Sequence, residues 1–273
     1  MLLSLDSGVS ALNQFQQQLN VVGNNIANVN TVGFKAAGVQ FADALSQTLG
    51  SNSAGSMQIG SGVLVSSITN QFTQGSITST GVQTNLAVNG GGFFLVNDSS
   101  SGQQYATRDG EFSVDPSGYL VTSNGMRLQG YSDAGLTTIG AVKIDNAGAP
   151  GGNTSAVQSY NIGADGKLSV LLADGTQFTR GQVLLQNFTS PTQLLKVGNN
   201  LYSGLTFAGG LAAPVAPGSN GLGSLVAGSL EMSNVDLAGQ LTSLITTQRA
   251  YEANTKVITT SDEILQSLVN LKR

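Results

Sequence analysis

The chain contains no cysteine, no histidine and no tryptophan. Without cysteine it can form neither a disulfide framework nor a thiolate metal site. Without histidine it lacks the commonest general base and metal ligand, and a Ser-His-Asp triad is impossible. Charge is scarce as well: charged residues make up 10% of the chain, against about 25% in ordinary soluble domains. The net charge is −4, and no Lys/Arg cluster is present to neutralise phosphates, which argues against a nucleic-acid partner. No run of apolar residues is long enough to cross a bilayer, so membrane insertion is not expected. The opening stretch MLLSLDSGVSALNQFQQQLN has no basic segment followed by a continuous apolar one, so no cleaved secretory signal is expected. A protein of this kind that works outside the cytoplasm leaves by another route.

Neither an enzyme nor a cofactor is expected. Gly90-Gly91-Gly92 precedes Phe93, but no helical pattern or Lys-Ser/Thr follows, so the glycines read as a tight turn or bulge between strands. Asp109 and Glu111 lie two residues apart with no second pair of acids, and read as a solvated edge.

What the chain does have is 36 glycines among 273 residues and many Ser, Thr, Asn and Gln residues. So weakly charged a surface is poorly protected against self-association, a first sign of an assembly subunit. The two ends share a pattern. Leu5, Val9, Leu12, Leu19 and Ile26 alternate steps of four and three, with Gln16 and Gly23 at the skipped positions, and predict a heptad-like helix. Asp6 is placed in its first turn, where the helix dipole favours an anion, and Asn28, Asn30, Thr31 and Gly33 end it. Leu237, Leu241, Leu244, Tyr251, Ile258, Leu265 and Val269 repeat the pattern, with Gln248, Thr255 and Asp262 between them. Ser233 or Asn234 is the expected N-cap and Asp236 a first-turn anion, while Lys272 and Arg273 suit the C-terminal end of the dipole. A helix over residues 234–271 would be about 55 Å long. Such narrow stripes, interrupted by polar positions, bury too little to hold the helices alone, so both ends are expected to order fully only when other copies pack around them.

The middle changes period. Asp115-Pro116-Ser117-Gly118, Asn124-Gly125, Asp165-Gly166 and Asp174-Gly175 are turn signals flanked by short alternating runs. Gly50–Gly62 and Gly209–Gly223 read as linkers. The expected fold is α+β: an antiparallel β domain over residues 76–229, an extended linker over 35–75, and terminal helices over 1–34 and 230–273 that pair as a coiled coil.

GNNIANVNTVGFKA (Gly23 to Ala36) resembles the signature of the flagellar rod and hook proteins, with Asn24, Asn25, Asn28, Asn30, Thr31, Gly33, Phe34 and Lys35 carrying the match. The run from Leu230 to Leu271 resembles their C-terminal helix. FTQGSITSTGVQTNLAVNGGGFFLV and YATRDGEFSVDPSGYLVTSNGMRLQGY resemble their shared β domain. The resemblance implies a subunit exported by the flagellar type III apparatus and stacked as a helical homopolymer. The terminal helices would form an inner layer around the export channel, and the β domain an outer layer. Expected partners are further copies of the chain, the rod and hook–filament junction proteins and the hook cap. The expected location is the basal body and hook of the bacterial flagellum, outside the cell. FTQGSITSTG and the short Gly50–Gly62 stretch favour a hook subunit that transmits torque from rod to filament. The alternative is a distal rod subunit, a drive shaft, which the chain's length favours because hook proteins are usually longer. The segment from Lys35 to Asn70 is where the two mechanical roles are expected to differ. A secreted β-rich adhesin is the more distant alternative, and trimming both helices would leave its activity intact.

Overall fold

The N-terminal heptad run folds as helix α1 (Leu2–Ala27). Beginning at Leu2, it carries Asp6 beyond its first turn. It ends at the asparagines: the Asn28 side-chain amide donates to the Asn24 carbonyl at 2.9 Å, and the backbone turns at residues 28–30. Helix α2 (Leu237–Leu271) is capped two or three residues beyond the expected Asn234 or Ser233. Asp236 is the N-cap: its Oδ1 accepts from the Ala238 N–H at 3.1 Å, and its carbonyl accepts from the Gln240 N–H at 2.9 Å. Asn234 is instead engaged elsewhere, its amide donating to the Thr73 hydroxyl at 2.8 Å. The computed structural model describes residues 2–52, 55–210 and 213–271, so Lys272 and Arg273 lie outside the described residues.

Contacts divide the chain into two units. The helical unit comprises α1, residues Ala36–Gln71, and the stretch from Val235 through α2. The β unit comprises Asn30–Lys35 and Phe72–Asn234.

In the helical unit α1 and α2 pack antiparallel. Near one end the Asn25 amide donates to Gln240 Oε1 at 3.0 Å. Near the other, a Cβ at Gly8 would lie 3.1 Å from Ile258 Cγ1. Close approach selects small side chains for the contact line, so the most buried positions of α1 are Gly8, Ala11, Val22 and Asn25. The leucine stripe lies beside this line. Helix α2 is rich in threonine, a weak helix former whose hydroxyl competes for backbone groups. Here that competition is turned inward: Thr242, Thr246, Thr247, Thr255 and Thr260 each donate to a carbonyl four residues back.

The expected linker over residues 35–75 is mostly a β-hairpin. Strands β1 (Ala37–Asp43) and β2 (Ser46–Asn52) form one arm, β3 (Gly55–Gly60) and β4 (Val63–Asn70) the other. Ala37 pairs with Asn70 at the base and Asn52 with Gly55 near the tip. The Ala44 N–H donates to the Gly62 carbonyl at 2.8 Å where the arms change sheet. With roughly 16 residues per arm, the hairpin is about 50 Å long. Its base docks on α1, where the Val65 N–H donates to Gln14 Oε1 at 3.1 Å and Phe15 meets Phe41 edge-on. The expected Gly50–Gly62 linker is therefore paired strand, apart from residues 53–54, which lie outside the described residues.

The β unit is antiparallel throughout. Its large sheet runs in the order Val157–Ile162, Lys167–Leu172, Gln177–Val183, Arg127–Tyr131, Phe93–Asn97, Gln104–Thr107, Leu201–Ser203, Leu195–Gly198. Leu86–Asn89 pairs with Ser224–Ala227, and Ile77–Ser79 with Ser229–Glu231. Leu86, Phe94, Val96, Leu128, Val170 and Leu185 centre its main apolar cluster, and Phe93, Phe188 and Tyr202 a second one. The four turn signals fall in turns, with Gly118, Gly125, Gly166 and Gly175 at positive φ. The Gly209–Gly223 stretch is packed rather than loose: Val215 bridges Leu185 and Leu222 is buried, while residues 211–212 lie outside the described residues.

Candidate functional site

The asparagine-rich signature splits between the two units. Asn25 belongs to the helical unit. It is buried, donates to the Ala37 carbonyl at 2.8 Å and accepts from the Ala37 N–H at 3.0 Å. One side chain thereby ties α1 to the hairpin base and, through Gln240, to α2. Asn24 and Asn30 are exposed. In the β unit, Thr31 to Lys35 form a turn in which the Phe34 N–H lies 3.4 Å from the Thr31 carbonyl. Gly33 has φ +67, and its N–H donates to the Glu231 carbonyl at 2.7 Å. A Cβ there would come within 2.7 Å of the Arg108 carbonyl carbon, so both the backbone angle and the space require glycine.

Lys35 enters a buried ion cluster. Its Nζ donates to Glu231 Oε1 at 2.6 Å and to the Thr73 carbonyl at 2.8 Å. Arg108 Nη1 lies 3.2 Å from Glu231 Oε2, and its Nη2 donates to the Gly90 carbonyl at 2.9 Å. The Gly75 N–H donates to Glu231 Oε1 at 2.9 Å. Relative exposures of the Lys35, Glu231 and Arg108 side chains are 0%, 0% and 4%. Two cations thus share one carboxylate, and Arg108 Nε has no hydrogen-bond partner among the described residues. Burial lowers the Lys35 pKa. Glu231 opposes that shift through its charge and hydrogen bond, and Arg108 adds to it. Lys196 completes the surround: its Nζ donates to the Lys35 carbonyl at 2.7 Å and sits 4.2 Å from the centre of the Phe34 ring.

The chain passes between its two units after Val29, Lys35, Gln71 and Asn234. Lys35, Thr73 and Asn234 stand within two residues of the last three crossings and are joined inside the β unit, because the Thr73 carbonyl accepts from both Lys35 and Asn234. The cluster fixes where the chain leaves this unit. Its charged side chains are buried and paired with one another. Gly90-Gly91-Gly92 lies between strands, as expected, and supplies a carbonyl to Arg108. Asp109 and Glu111 do not form the expected solvated edge. Glu111 is exposed and its N–H donates to Asp109 Oδ1 at 3.0 Å, whereas Asp109 is partly buried, is also hydrogen-bonded by the Asn200 side chain, and has its pKa raised by burial. Arg108, Lys196 and Glu231 are not apparent from motif reading. The available signal was Glu231 itself, a lone acid between Leu230 and Met232 in a chain poor in charge.

The stripe residues fall into two groups. On α1, Leu5, Leu12, Leu19 and Ile26 are half-buried and Val9 is exposed. On α2, Leu244, Ile258 and Leu265 are half-buried, and Leu237, Leu241, Tyr251 and Val269 are exposed. The fully buried side chains of α2 are Thr247 and Ser261, neither of them a large apolar residue.

The β unit is clamped at the crossings of its own chain, and the helical unit leaves part of its aliphatic side chains open, an arrangement that suits a structural subunit. Three family profiles match in order: the flagellar basal body rod protein over residues 5–35, the flagellar hook protein FlgE/F/G D1 domain over 87–170, and the flagellar basal body rod FlgEFG C-terminal region over 226–271. The flagellar basal-body rod protein FlgG of Bacillus subtilis is 42% identical over all of both chains, and that of Borreliella burgdorferi 33% over all of both. The flagellar hook protein FlgE of Borreliella burgdorferi is 26% identical, in an alignment that needs 444 positions to span both chains. The chain belongs to the flagellar rod and hook protein family. It is a structural, non-enzymatic component of the flagellum. The expectation of a hook subunit gives way at this point, since the rod relatives match at higher identity and without long gaps.

Proposed function

We propose that the chain is a distal rod subunit that polymerises into a helical tube and acts as a drive shaft. The observation that carries this reading is the end-to-end match to rod proteins over 281 aligned positions, against 444 for the hook relative. The hook alignment leaves 444 − 273 = 171 positions opposite gaps in this chain. The β1–β4 hairpin supports the same reading. A long paired arm resists bending better than the loose linker expected over residues 35–75 would. In this reading α1 and α2 pair as a coiled coil in the inner layer of the tube. The stripes formed by Leu5, Leu12 and Leu19 and by Leu237 and Leu241 meet other copies, and the β unit lies outside. The chain leaves the cell through the flagellar type III apparatus without a cleaved signal. Its neighbours are other rod proteins and the hook.

Electron microscopy of basal bodies from cells lacking this chain tests the assignment. A shortened rod with no hook is expected. A full-length rod that lacks only the hook would restore the hook reading.

A further inference from the structure

The helical unit has two apolar stripes beyond the α1–α2 contact, partly open on α1 and exposed on α2. On α1, Leu5, Val9, Leu12 and Leu19 lie clockwise from the contact line, viewed from the N-terminus, by about 100° at 3.6 residues per turn. On α2, Thr246, Ala253, Val257, Thr260, Ile264 and Leu268 step by three, four or seven. They lie anticlockwise from the contact line by about 85°. In an antiparallel pair, opposite senses carry the two stripes to opposite faces. The surroundings agree: Val257 lines a groove of about 640 Å³ with Ser7, Ala11, Ile59, Val63 and Asn254, on the side where the hairpin base docks. The α1 stripe lies off that side.

The α2 stripe is apolar and dry in character. Val257, Ile264 and Leu268 are 43%, 51% and 48% exposed. The Thr246 and Thr260 hydroxyls are spent on their own helix, donating to the carbonyls of Thr242 and Lys256 at 3.1 and 2.9 Å, so outward they present methyl groups. The charged side chains of α2 lie off the stripe, with Arg249 turned 3.0 Å onto Glu252. The α1 stripe contains no ionisable residue either. Its side chains are large aliphatics, half-buried at Leu5, Leu12 and Leu19 and 42% exposed at Val9, that form a low ridge, whereas the opposite face is a groove walled by Ser7, Ala11 and the hairpin. Two uncharged faces, one ridged and one grooved, on opposite sides of one unit fit each other and not themselves.

We propose that the α1 ridge of one copy seats in the α2–hairpin groove of a second copy. The contact is heterologous: each copy offers a ridge to one neighbour and a groove to another, so the series stays open and extends as a polymer. This deepens the polymer reading above and rests on it.

The absence of cysteine gives a clean test in the full-length chain. Leu12→Cys places a thiol on the ridge and Val257→Cys one in the groove. The variants are purified separately as monomers, mixed, allowed to assemble together, then treated with a short bis-maleimide, with polymer formation followed by sedimentation. Either variant alone should give no cross-linked dimer. The mixture should give a dimer containing one of each, and the double variant a ladder of higher species. Dimers from a single variant would overturn the proposal in favour of a self-complementary face. Polymer that sediments normally but yields no mixed dimer would overturn these faces while leaving polymerisation standing. A wild-type chain that never sediments would overturn both.

Discussion

Replacing Glu231 by glutamine is expected to destabilise the β unit by about 3–5 kcal/mol, the usual cost of leaving buried charge uncompensated. Glu231 is the sole carboxylate between Lys35 and Arg108, and all three side chains are almost fully buried. With a neutral amide there, two cations face each other with no anion between them, and Arg108 keeps the Gly90 carbonyl and the Phe93 ring. Lys35→Met should cost less, about 1–3 kcal/mol, because Arg108 and Glu231 remain a balanced pair and the main loss is the hydrogen bond to the Thr73 carbonyl. The ordering is therefore a sharper test than either size. Denaturant unfolding followed by near-ultraviolet circular dichroism reports on this unit, since Tyr202 is buried in its second apolar cluster. Equal losses for the two variants, or a larger loss for Lys35→Met, would show that the carboxylate is not the keystone.

Deleting residues 237–273 is expected to abolish polymerisation while leaving the β unit folded. The apolar clusters of that unit draw on residues between Phe72 and Ala227 and on neither helix. The deletion removes the partner of α1 but no member of either apolar cluster of the β unit. Sedimentation should show loss of all polymer. The near-ultraviolet spectrum and the unfolding midpoint should stay close to those of the whole chain. A truncated chain that still polymerises would move the assembly surface to the β unit or the hairpin.

These expectations bear on what the sequence revealed. The two helices were legible because their stripes keep a regular 3-4 step and because Asn28 and Asn30 punctuate the first. The β turns were legible because Asp-Gly and Asn-Gly pairs need a positive φ that glycine supplies. The face of each helix that meets its partner was not legible. Large aliphatics mark a stripe most visibly, but the helices approach closely through Gly8, Ala11 and Thr247, which pattern reading passes over. The hairpin was hidden by composition: Gly50, Gly55, Gly60 and Gly62 and the serines around them read as linker. Its apolar residues come in short runs such as Val63-Leu64-Val65, not in a sustained alternation. The ion cluster was hidden by distance along the chain, because Lys35, Arg108 and Glu231 become neighbours only after three separate segments fold together.

Hydrogen exchange at the amides of α1 and α2, compared between monomer and polymer, bears most directly on the idea that the terminal helices are completed by other copies. In dilute monomer their protection should exceed that of an unstructured chain by on the order of tenfold or less, while strands such as Phe93–Asn97 exchange only with unfolding of the whole β unit. In assembled polymer the helices should become as slow as those strands. Helices already as protected as the β core in a single copy, with no change on assembly, would contradict the account.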